Sequence, residues 1–283
     1  MKDLQVITID FWNTLFDSVN HENRYKYRND IFIEETSKLG FNINEFDLDN
    51  AIKESWAYFE DHWINKMRTP ESSELVQVIF SYLNLPYEKN TFNRIVTSYE
   101  DSLFEHPPVL IDGVRELLPK LAEKYRLGLI SDTGYSPGTH LRKLMSDNDI
   151  LDYFTSFSFS NETGVSKPHE KAFQTILQEL KVDPKYSLHI GDIERTDVVG
   201  ANNSGMISVL FTGVESEFDR KNPEITSADI SINHWSELSE ALNIKISIWL
   251  HKLLNFINWS FVPIATIWSL DLNSKSPNGL RLV

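Results

Sequence analysis

The segment Val6-Ile7-Thr8-Ile9-Asp10, which continues as Phe11-Trp12-Asn13-Thr14-Leu15, decides the fold that we predict for this chain. Its first half is short, apolar and rich in β-branched residues, a pattern typical of a buried strand. The strand ends at a carboxylate instead of another apolar residue. Asp10 therefore stands at the carboxyl end of a buried strand, which is where α/β sheets bind their ligands.

Outside one interruption, strands and helices alternate along the chain. We predict further strands at 127–131, 156–159, 187–191 and 207–211, separated by amphipathic helices. This alternation predicts right-handed crossovers and an α/β fold with a Rossmann-like, doubly wound parallel sheet. Ser131 and Asp192 stand at or just past the ends of two of these strands, so both should meet Asp10 at one edge of the sheet.

Residues 17–108 interrupt the alternation directly after the first strand. They carry aromatic and charged residues at helical spacing, for example Trp56 and Trp63, and few strand signals. A pair of prolines ends this segment. We therefore predict a mostly α-helical domain over 17–108, inserted into a core formed by residues 1–16 and 109–243.

Residues 244–283 differ in composition from the rest of the chain. Apolar residues recur at helical spacing from Leu250 to Ile264, with Lys252 and two asparagines on other faces. We expect an amphipathic tail that packs on the core or on a second copy of the chain in a homodimer. Attachment to a membrane interface, a carboxyl-terminal anchor and a non-native tail read in a shifted frame are the alternatives. Lys252 and the asparagines disfavour a membrane span.

The composition is that of a globular protein and excludes several classes of function. Of the 283 residues, 41% are hydrophobic and 24% are charged, as in ordinary soluble domains. The net charge of −14 disfavours nucleic acid as a partner, because its phosphates would be repelled. The absence of cysteine excludes disulfides, thiolate metal sites and cysteine nucleophiles. Met1 leads straight into the first strand without a signal segment, so we expect a cytoplasmic enzyme.

Three motifs join Asp10 in a set of groups suited to handling phosphate. They are Ser131 after the second strand, Lys167 before a proline, and the acidic pair Asp192 and Asp197. Phosphoryl transfer needs an oxygen nucleophile in line with the leaving group and positive charge around the equatorial oxygens. A carboxylate can be that nucleophile, and an acidic pair suits a hard cation. Taken singly, Asp10, Ser131 and Lys167 are also typical of a cap, a turn and a solvated surface, and the segment that carries Asp192 and Asp197 is the most specific. The interpretation therefore depends on the whole set.

In this order the motifs resemble those of the haloacid dehalogenase superfamily of hydrolases, most of whose members are magnesium-dependent phosphatases. The resemblance ends near Leu242 and implies that the helical insertion is a cap domain that selects substrate. It also implies that Asp10 is the catalytic nucleophile and that Thr14 helps hold its loop by a hydrogen bond. The groups implied to bind the phosphoryl group and substrate are Ser131, Asp132, Thr133 and Lys167.

The same resemblance implies a Mg²⁺ site. Its ligands would be Asp10, the backbone carbonyl of Trp12 and Asp192, while Asp197 would bind the metal through water or pair with Lys167. Magnesium prefers oxygen ligands and keeps several waters, so one or two carboxylates and a carbonyl suffice. Metal-independent dehalogenases generally lack the Gly-Asp pair that precedes Asp197, and its presence here favours a phosphatase.

Trp12 departs from the phosphatase pattern. The phosphatases carry an aspartate at this position, which protonates the leaving oxygen and then activates water; such help is worth roughly a hundred- to ten-thousandfold. Indole cannot titrate. Three outcomes are open: a weak phosphatase that needs good leaving groups, recruitment of another acid such as Glu194 or a cap residue, or no cleavage of phosphate esters at all.

Arg24 and Arg28 lie four residues apart on a predicted helix of the insertion. Arginine binds anionic groups well, so both are candidates to hold a second anionic group of the substrate. A solvated helix face is the more common reason for such a pair.

These observations support a leading hypothesis and two rivals. The leading one is a Mg²⁺-dependent hydrolase of small phosphomonoesters that works through phospho-Asp10. The second is a carbon–halogen hydrolase acting on a 2-haloacid, which Trp12 favours and Asp192 disfavours. The third is a catalytically silent ligand-binding protein that kept the fold.

Overall fold

Six parallel strands carry the fold in the computed structural model, which describes residues 3–214 and 225–244. The strands are β1 (Val6–Ile9), β2 (Arg126–Ser131), β3 (Phe154–Phe159), β4 (Ser187–Gly191), β5 (Ile207–Phe211) and β6 (Ile230–Ile232). They lie in the order β3-β2-β1-β4-β5-β6. The predicted parallel α/β class is confirmed. The predicted tail at 245–283 lies outside the described residues.

The register of the central strands aligns their carboxyl ends. Ile9 of β1 is paired with Leu129 of β2 on one side and with Ile190 of β4 on the other. Asp10 is therefore level with the last residues of both neighbours. Strand order reverses on either side of β1, and such a point is where open α/β sheets form a ligand crevice.

Ten α-helices surround or extend from this sheet in the described part of the chain. They are α1 (His21–Ser37), α2 (Glu45–Asn65), α3 (Ser72–Tyr82), α4 (Lys89–Glu105), α5 (Val114–Ala122), α6 (Gly138–Asp147), α7 (Ser160–Thr163), α8 (Glu170–Glu179), α9 (Val199–Asn203) and α10 (Trp235–Ala241). Short 3₁₀ turns lie at Leu151–Tyr153 and Pro184–Tyr186, and a π-helical turn lies at Glu194–Val198. No helix within 3–214 or 225–244 is long and apolar enough to cross a membrane.

Helices α1 to α4 fill most of the segment between β1 and β2 and share a hydrophobic core. Its fully covered members include Phe32 of α1, Leu48 of α2, Ile79 of α3 and Ile95 of α4. These apolar positions recur every three or four residues along each helix, so each helix buries one face. Tyr135, from the loop after β2, packs into the same cluster. The boundaries of a separate cap domain at 17–108 stay a prediction.

Two strands that are buried along all or nearly all of their length match the predicted bounds. Predicted strands at 187–191 and 207–211 coincide with β4 and β5, and β3 begins two residues earlier than predicted. Neither β6 nor α10 was predicted. Strand β6 has three residues and only one of them is buried, so it leaves almost no pattern in the sequence.

Candidate active site

Asp10 stands at the end of β1 with its carboxylate almost fully covered. Its backbone N–H donates to the Ile190 carbonyl at 2.8 Å, which continues the β1–β4 ladder one residue beyond the strand. The Lys167 ammonium contacts Asp10 Oδ1. Burial raises the pKa of Asp10 well above its usual value; Lys167 opposes this rise, and the charge of Asp197 reinforces it. The lysine is thus the main partner that favours the ionised form of this carboxylate against the effect of burial.

Lys167 lies between two carboxylates and is only 2% exposed. Its Nζ donates to Asp197 Oδ1 at 2.7 Å as well as to Asp10. Burial alone would lower the pKa of Lys167, but the attraction of Asp10 and Asp197 outweighs it and raises the pKa. A buried ammonium costs free energy unless anions compensate it, and here two carboxylates do so directly.

Asp197 accepts four hydrogen bonds in the described structure. Oδ1 accepts from Lys167 and from His189 Nε2 at 3.0 Å, and Oδ2 accepts from the Ile193 amide at 3.1 Å and the Thr196 hydroxyl at 3.0 Å. Burial would raise the pKa of Asp197, but Lys167 and His189 lower it well below its usual range. With both oxygens engaged, Asp197 pairs with Lys167 and has little capacity left to hold a metal.

His189 of β4 was missed by the sequence reasoning. It is 1% exposed, and Nδ1 lies 2.9 Å from the Thr8 hydroxyl on the neighbouring strand. Because a carboxylate only accepts, the contact with Asp197 assigns the imidazole proton to Nε2, and burial lowers the pKa of His189. A neutral histidine thus holds Asp197 in place. The signal in the sequence was a pair of polar residues at matched positions inside two buried strands.

The loop after β1 is held by side chains other than the expected one. Asn13, in the left-handed conformation at φ 53°, donates from Nδ2 to Asp192 Oδ2 at 3.2 Å and accepts from the Ser18 hydroxyl at 2.7 Å. The Thr14 hydroxyl is buried and has no hydrogen-bond partner within residues 3–214 and 225–244, which corrects the expected loop bond. The Thr14 carbonyl instead accepts from the Trp235 indole at 3.0 Å.

The donors near Asp10 suit a hard cation. Asp192 and Asp10 offer carboxylate oxygens, and none of the described backbone hydrogen bonds uses the Trp12 carbonyl. Within residues 3–214 and 225–244 no three acidic or histidine side chains cluster as a ready-made metal site. Two carboxylates and one carbonyl still fit Mg²⁺, because this ion accepts oxygen ligands and completes its shell with water.

Ser131 and its neighbours differ in what their side chains can do. The Ser131 hydroxyl makes only a long 3.4 Å contact with the Asp132 carbonyl among the described residues, so it can donate to a ligand. Asp132 accepts from the Lys167 amide at 2.9 Å and from the Trp63 indole at 2.8 Å. Thr133 bonds to Ser160 on α7 at 2.8 and 3.0 Å. The side chains of Asp132 and Thr133 thus shape the loop, and the role of these two residues in binding substrate stays a prediction.

Arg24 and Arg28 do not lie on a solvated face. Arg24 is 7% exposed and donates to the carbonyls of Ser18, Val19 and His106, so it fastens the start of α1. Burial, followed by repulsion from Arg28, lowers the pKa of Arg24 to about 10. These contacts occupy Arg24 and speak against its predicted role in binding substrate. Arg28 lies one turn further along the helix.

Trp12 has no replacement acid in Glu194. The Glu194 carboxylate accepts from the Thr226 hydroxyl at 2.5 Å and from the Ser227 amide at 2.8 Å. Burial alone would raise the pKa of Glu194, but hydrogen bonds from Ser227 and Thr226 lower it. A carboxyl group that is held ionised is a poor proton donor, so the suggested recruitment of Glu194 is not supported.

Comparison with known proteins points to one family. The chain matches the model described as haloacid dehalogenase-like hydrolase over residues 46–211. It is similar to a glyceraldehyde 3-phosphate phosphatase from Pyrococcus abyssi, with 30% identity over 211 residues that cover 74% of this chain and 81% of the relative.

Two solved structures share the fold at lower identity. A 2-haloacid dehalogenase from Pseudomonas syringae pv. Tomato DC3000 aligns with a TM-score of 0.63 and 23% identity, covering 85% of this chain and 98% of its own. The hydrolase YfnB from Bacillus subtilis, solved bound to magnesium, aligns with a TM-score of 0.60 and 19% identity. The alignment covers 85% of this chain and 99% of the YfnB chain. The family model spans more than half of the chain, and these folds agree with it. This chain therefore belongs to the haloacid dehalogenase-like hydrolases and is an enzyme of that family.

Proposed function

We propose that the chain is a Mg²⁺-dependent phosphatase of small phosphomonoesters that works through an aspartyl-phosphate on Asp10. The observation that carries this proposal is the buried Asp10–Lys167–Asp197 arrangement, in which an ammonium contacts the carboxylate that we propose as the nucleophile. The phosphatase activity named for the Pyrococcus abyssi relative supports the same reaction class.

The chemistry follows from the roles of these side chains. The Asp10 carboxylate attacks phosphorus, the bond to the leaving oxygen breaks, and water later opens the aspartyl-phosphate to release phosphate. Lys167 supplies positive charge to the transferring oxygens, and the Ser131 hydroxyl donates to one of them. Mg²⁺, held by Asp10, the Trp12 carbonyl and Asp192, would add charge stabilisation at the same oxygens when bound. Asp197 keeps the lysine in place throughout.

The leaving group must depart without an acid at position 12. Indole cannot donate a proton in this way, and the Glu194 carboxylate is tied to Thr226 and Ser227. With both groups excluded, we propose that the departing oxygen takes its proton from water. We therefore propose that esters with acidic alcohols, such as aryl phosphates, are cleaved faster than alkyl phosphates.

The decisive experiment measures phosphate release from an aryl phosphate and a panel of metabolite phosphomonoesters, with Mg²⁺ and with chelator. Wild type, Asp10→Asn and the surface control Asp183→Asn are compared. We expect release that needs Mg²⁺, survives in the control and is lost in Asp10→Asn, because an amide cannot form the phospho-enzyme.

Three results would contradict the proposal. Undiminished release by Asp10→Asn would exclude the aspartyl-phosphate mechanism. No release from any ester, combined with chloride release from a 2-haloacid in chelator, would identify a carbon–halogen hydrolase. Tight ligand binding without any turnover would instead identify a silent binding protein.

A further inference from the structure

Arg28 is a cation without an acidic partner in the part of the chain that the structure describes. Its NH1 donates to the Ser102 hydroxyl at 3.2 Å, and its guanidinium lies 4.9 Å from the centre of the Tyr135 ring and 5.9 Å from that of Tyr99. Arg68 and Arg94, by contrast, each pair with a glutamate. Partly buried guanidinium groups are normally paired with carboxylates, so this one lacks an expected partner.

A second donor, the Tyr99 hydroxyl, lies beside Arg28 and has no partner among the described residues. The Tyr99 side chain is 1% exposed, and its hydroxyl forms no hydrogen bond with any residue that the structure describes. Burial raises the pKa of Tyr99, so the phenol keeps its proton and can donate a hydrogen bond to an acceptor. Burial also lowers the pKa of Arg28, although the side chain keeps some accessible surface. The partly accessible guanidinium and the buried phenol are thus two neighbouring donors that have no anionic acceptor among the described residues.

The position of this pair relates it to the reacting groups. Tyr135 lies four residues after Ser131 on the loop that leaves the carboxyl end of β2. On the other side, Arg28 is one helical turn beyond Arg24, whose guanidinium lies 5.9 Å from the centre of the Trp12 ring. Arg28 therefore contacts the loop that follows β2 and carries Ser131, and Arg24, one turn earlier on the same helix, contacts the loop that follows β1 and carries Asp10.

We propose that Arg28 and Tyr99 form a subsite for a second anionic group of the substrate. This inference rests on the proposed phosphatase function and narrows its substrate class to small phosphomonoesters that carry a carboxylate or a second phosphate. Guanidinium groups bind both anions through two parallel hydrogen bonds, and the phenol supplies a third donor. An ester that has a neutral hydroxyl in that place leaves the cation unpaired.

The test compares matched esters. Phosphoglycolate carries a carboxylate, ethylene glycol bisphosphate carries a second phosphate, and 2-hydroxyethyl phosphate has a neutral hydroxyl at the same distance. In wild type, we expect kcat/KM for at least one of the two esters with a second anionic group to exceed kcat/KM for 2-hydroxyethyl phosphate by about tenfold or more. The larger of the two ratios identifies the preferred anion.

Arg28→Gln should reduce that ratio about tenfold or more, and Arg28→Lys should fall between the two because an ammonium cannot bind in bidentate fashion. Tyr99→Phe keeps the ring and should reduce the ratio by a few-fold. Arg94→Gln removes a surface arginine and serves as the control with an unchanged ratio. Melting temperatures show which variants are folded. If Arg28→Gln does not fold, Tyr99→Phe and Arg28→Lys test the subsite in its place.

Failure of this inference differs from failure of the proposed function. Equal kcat/KM for all three esters, or a ratio that is the same in wild type and Arg28→Gln, would overturn the subsite while leaving the phosphatase intact. If no ester is cleaved, calorimetry with phosphonoacetate and ethylphosphonate decides the subsite. Tighter binding of phosphonoacetate that is lost in Arg28→Gln would support it, and equal binding would overturn it.

Discussion

At the scale of single residues, the candidate site depends on how Lys167 is held. Two carboxylates compensate its charge, and His189 in turn holds one of them. Gly191 is required for this arrangement, because a Cβ at that position would lie 2.2 Å from Asp197 Cγ. The neutral histidine therefore acts on the reaction through Asp197 and is a positioning residue.

We predict that His189→Leu lowers kcat about tenfold and changes KM little, since Asp197 loses a donor and Lys167 is less well placed. Leaving a buried carboxylate short of one hydrogen bond also costs about 1–3 kcal/mol of stability. His189→Gln can restore a side-chain N–H and should recover part of kcat. If kcat in both variants falls only in step with the melting temperature, His189 has a structural role and does not position Lys167.

Trp12 gives the second prediction at this scale. Trp12→Asp restores a titratable group beside Asp10 and should keep or raise turnover, most strongly for alkyl phosphates with poor leaving groups. The upper limit is the contribution of general acid catalysis, roughly a hundred- to ten-thousandfold. Rates for aryl and alkyl esters measured side by side check this, with Trp12→Phe as the non-titrating control. A loss of activity that is equal for both ester types would contradict it.

At the scale of elements, the start of α3 shows how one carboxylate organises a helix in the insertion. Glu74 accepts from both terminal nitrogens of Arg68 at 2.7 and 2.9 Å and from the Glu71 amide at 3.0 Å. The hydrogen bonds from Arg68, although burial opposes them, lower the pKa of Glu74 from 4.5 to about 2. A carboxylate in the first helical turn also complements the helix dipole.

The lowered pKa predicts a pH dependence of stability. A depressed pKa in the folded state stabilises the fold above pH 4.5, and this contribution disappears as pH falls toward 2. Glu74→Gln should lower the melting temperature near pH 7 by about 2–4 °C, because a pair one-third exposed is worth about 1 kcal/mol at most. The difference in melting temperature between wild type and Glu74→Gln should become smaller below pH 4. Glu60→Gln, at an exposed position of α2, is the control. A deficit that is equal at pH 3 and pH 7 would contradict the assignment.

At the scale of the whole molecule, the last described helix closes the loop that carries Asp10. Trp235 of α10 is fully buried and donates from its indole to the Thr14 carbonyl at 3.0 Å, across 221 residues of chain. The Gly113 turn before α5 also packs on Trp235, since a Cβ there would lie 3.0 Å from the Trp235 Cβ. The nucleophile loop is thus supported by a helix far away in sequence.

Trp235→Phe keeps an aromatic ring but leaves the Thr14 carbonyl without its donor. We expect a loss of about 1–3 kcal/mol, seen as a melting temperature lower by several degrees, together with reduced turnover. Tyr82→Phe, at a half-exposed ring of α3, is the control and should change neither property. Unchanged stability and turnover in Trp235→Phe would show that α10 does not support the loop.

Local sequence determined the strand pattern and the groups at the strand ends. A short buried strand leaves a readable run of apolar residues, and a polar residue at its end is visible without knowledge of any partner. Asp10, Ser131 and Asp192 were identified in this way, and the sheet brings their strand ends to one edge. Lys167 was identified from its place before a proline and from the order of the motifs.

Only the tertiary structure decided which polar side chains engage one another. The partners of Asp197, Arg28 and Trp235 come from distant parts of the chain, and one-dimensional periodicity carries no information about such distances. The tertiary structure also distinguished Arg24, whose guanidinium donates to backbone carbonyls, from Arg28, which has no acidic partner among the described residues. The physical reason is that periodicity reports which face of an element is buried, whereas a hydrogen bond or ion pair depends on packing between elements.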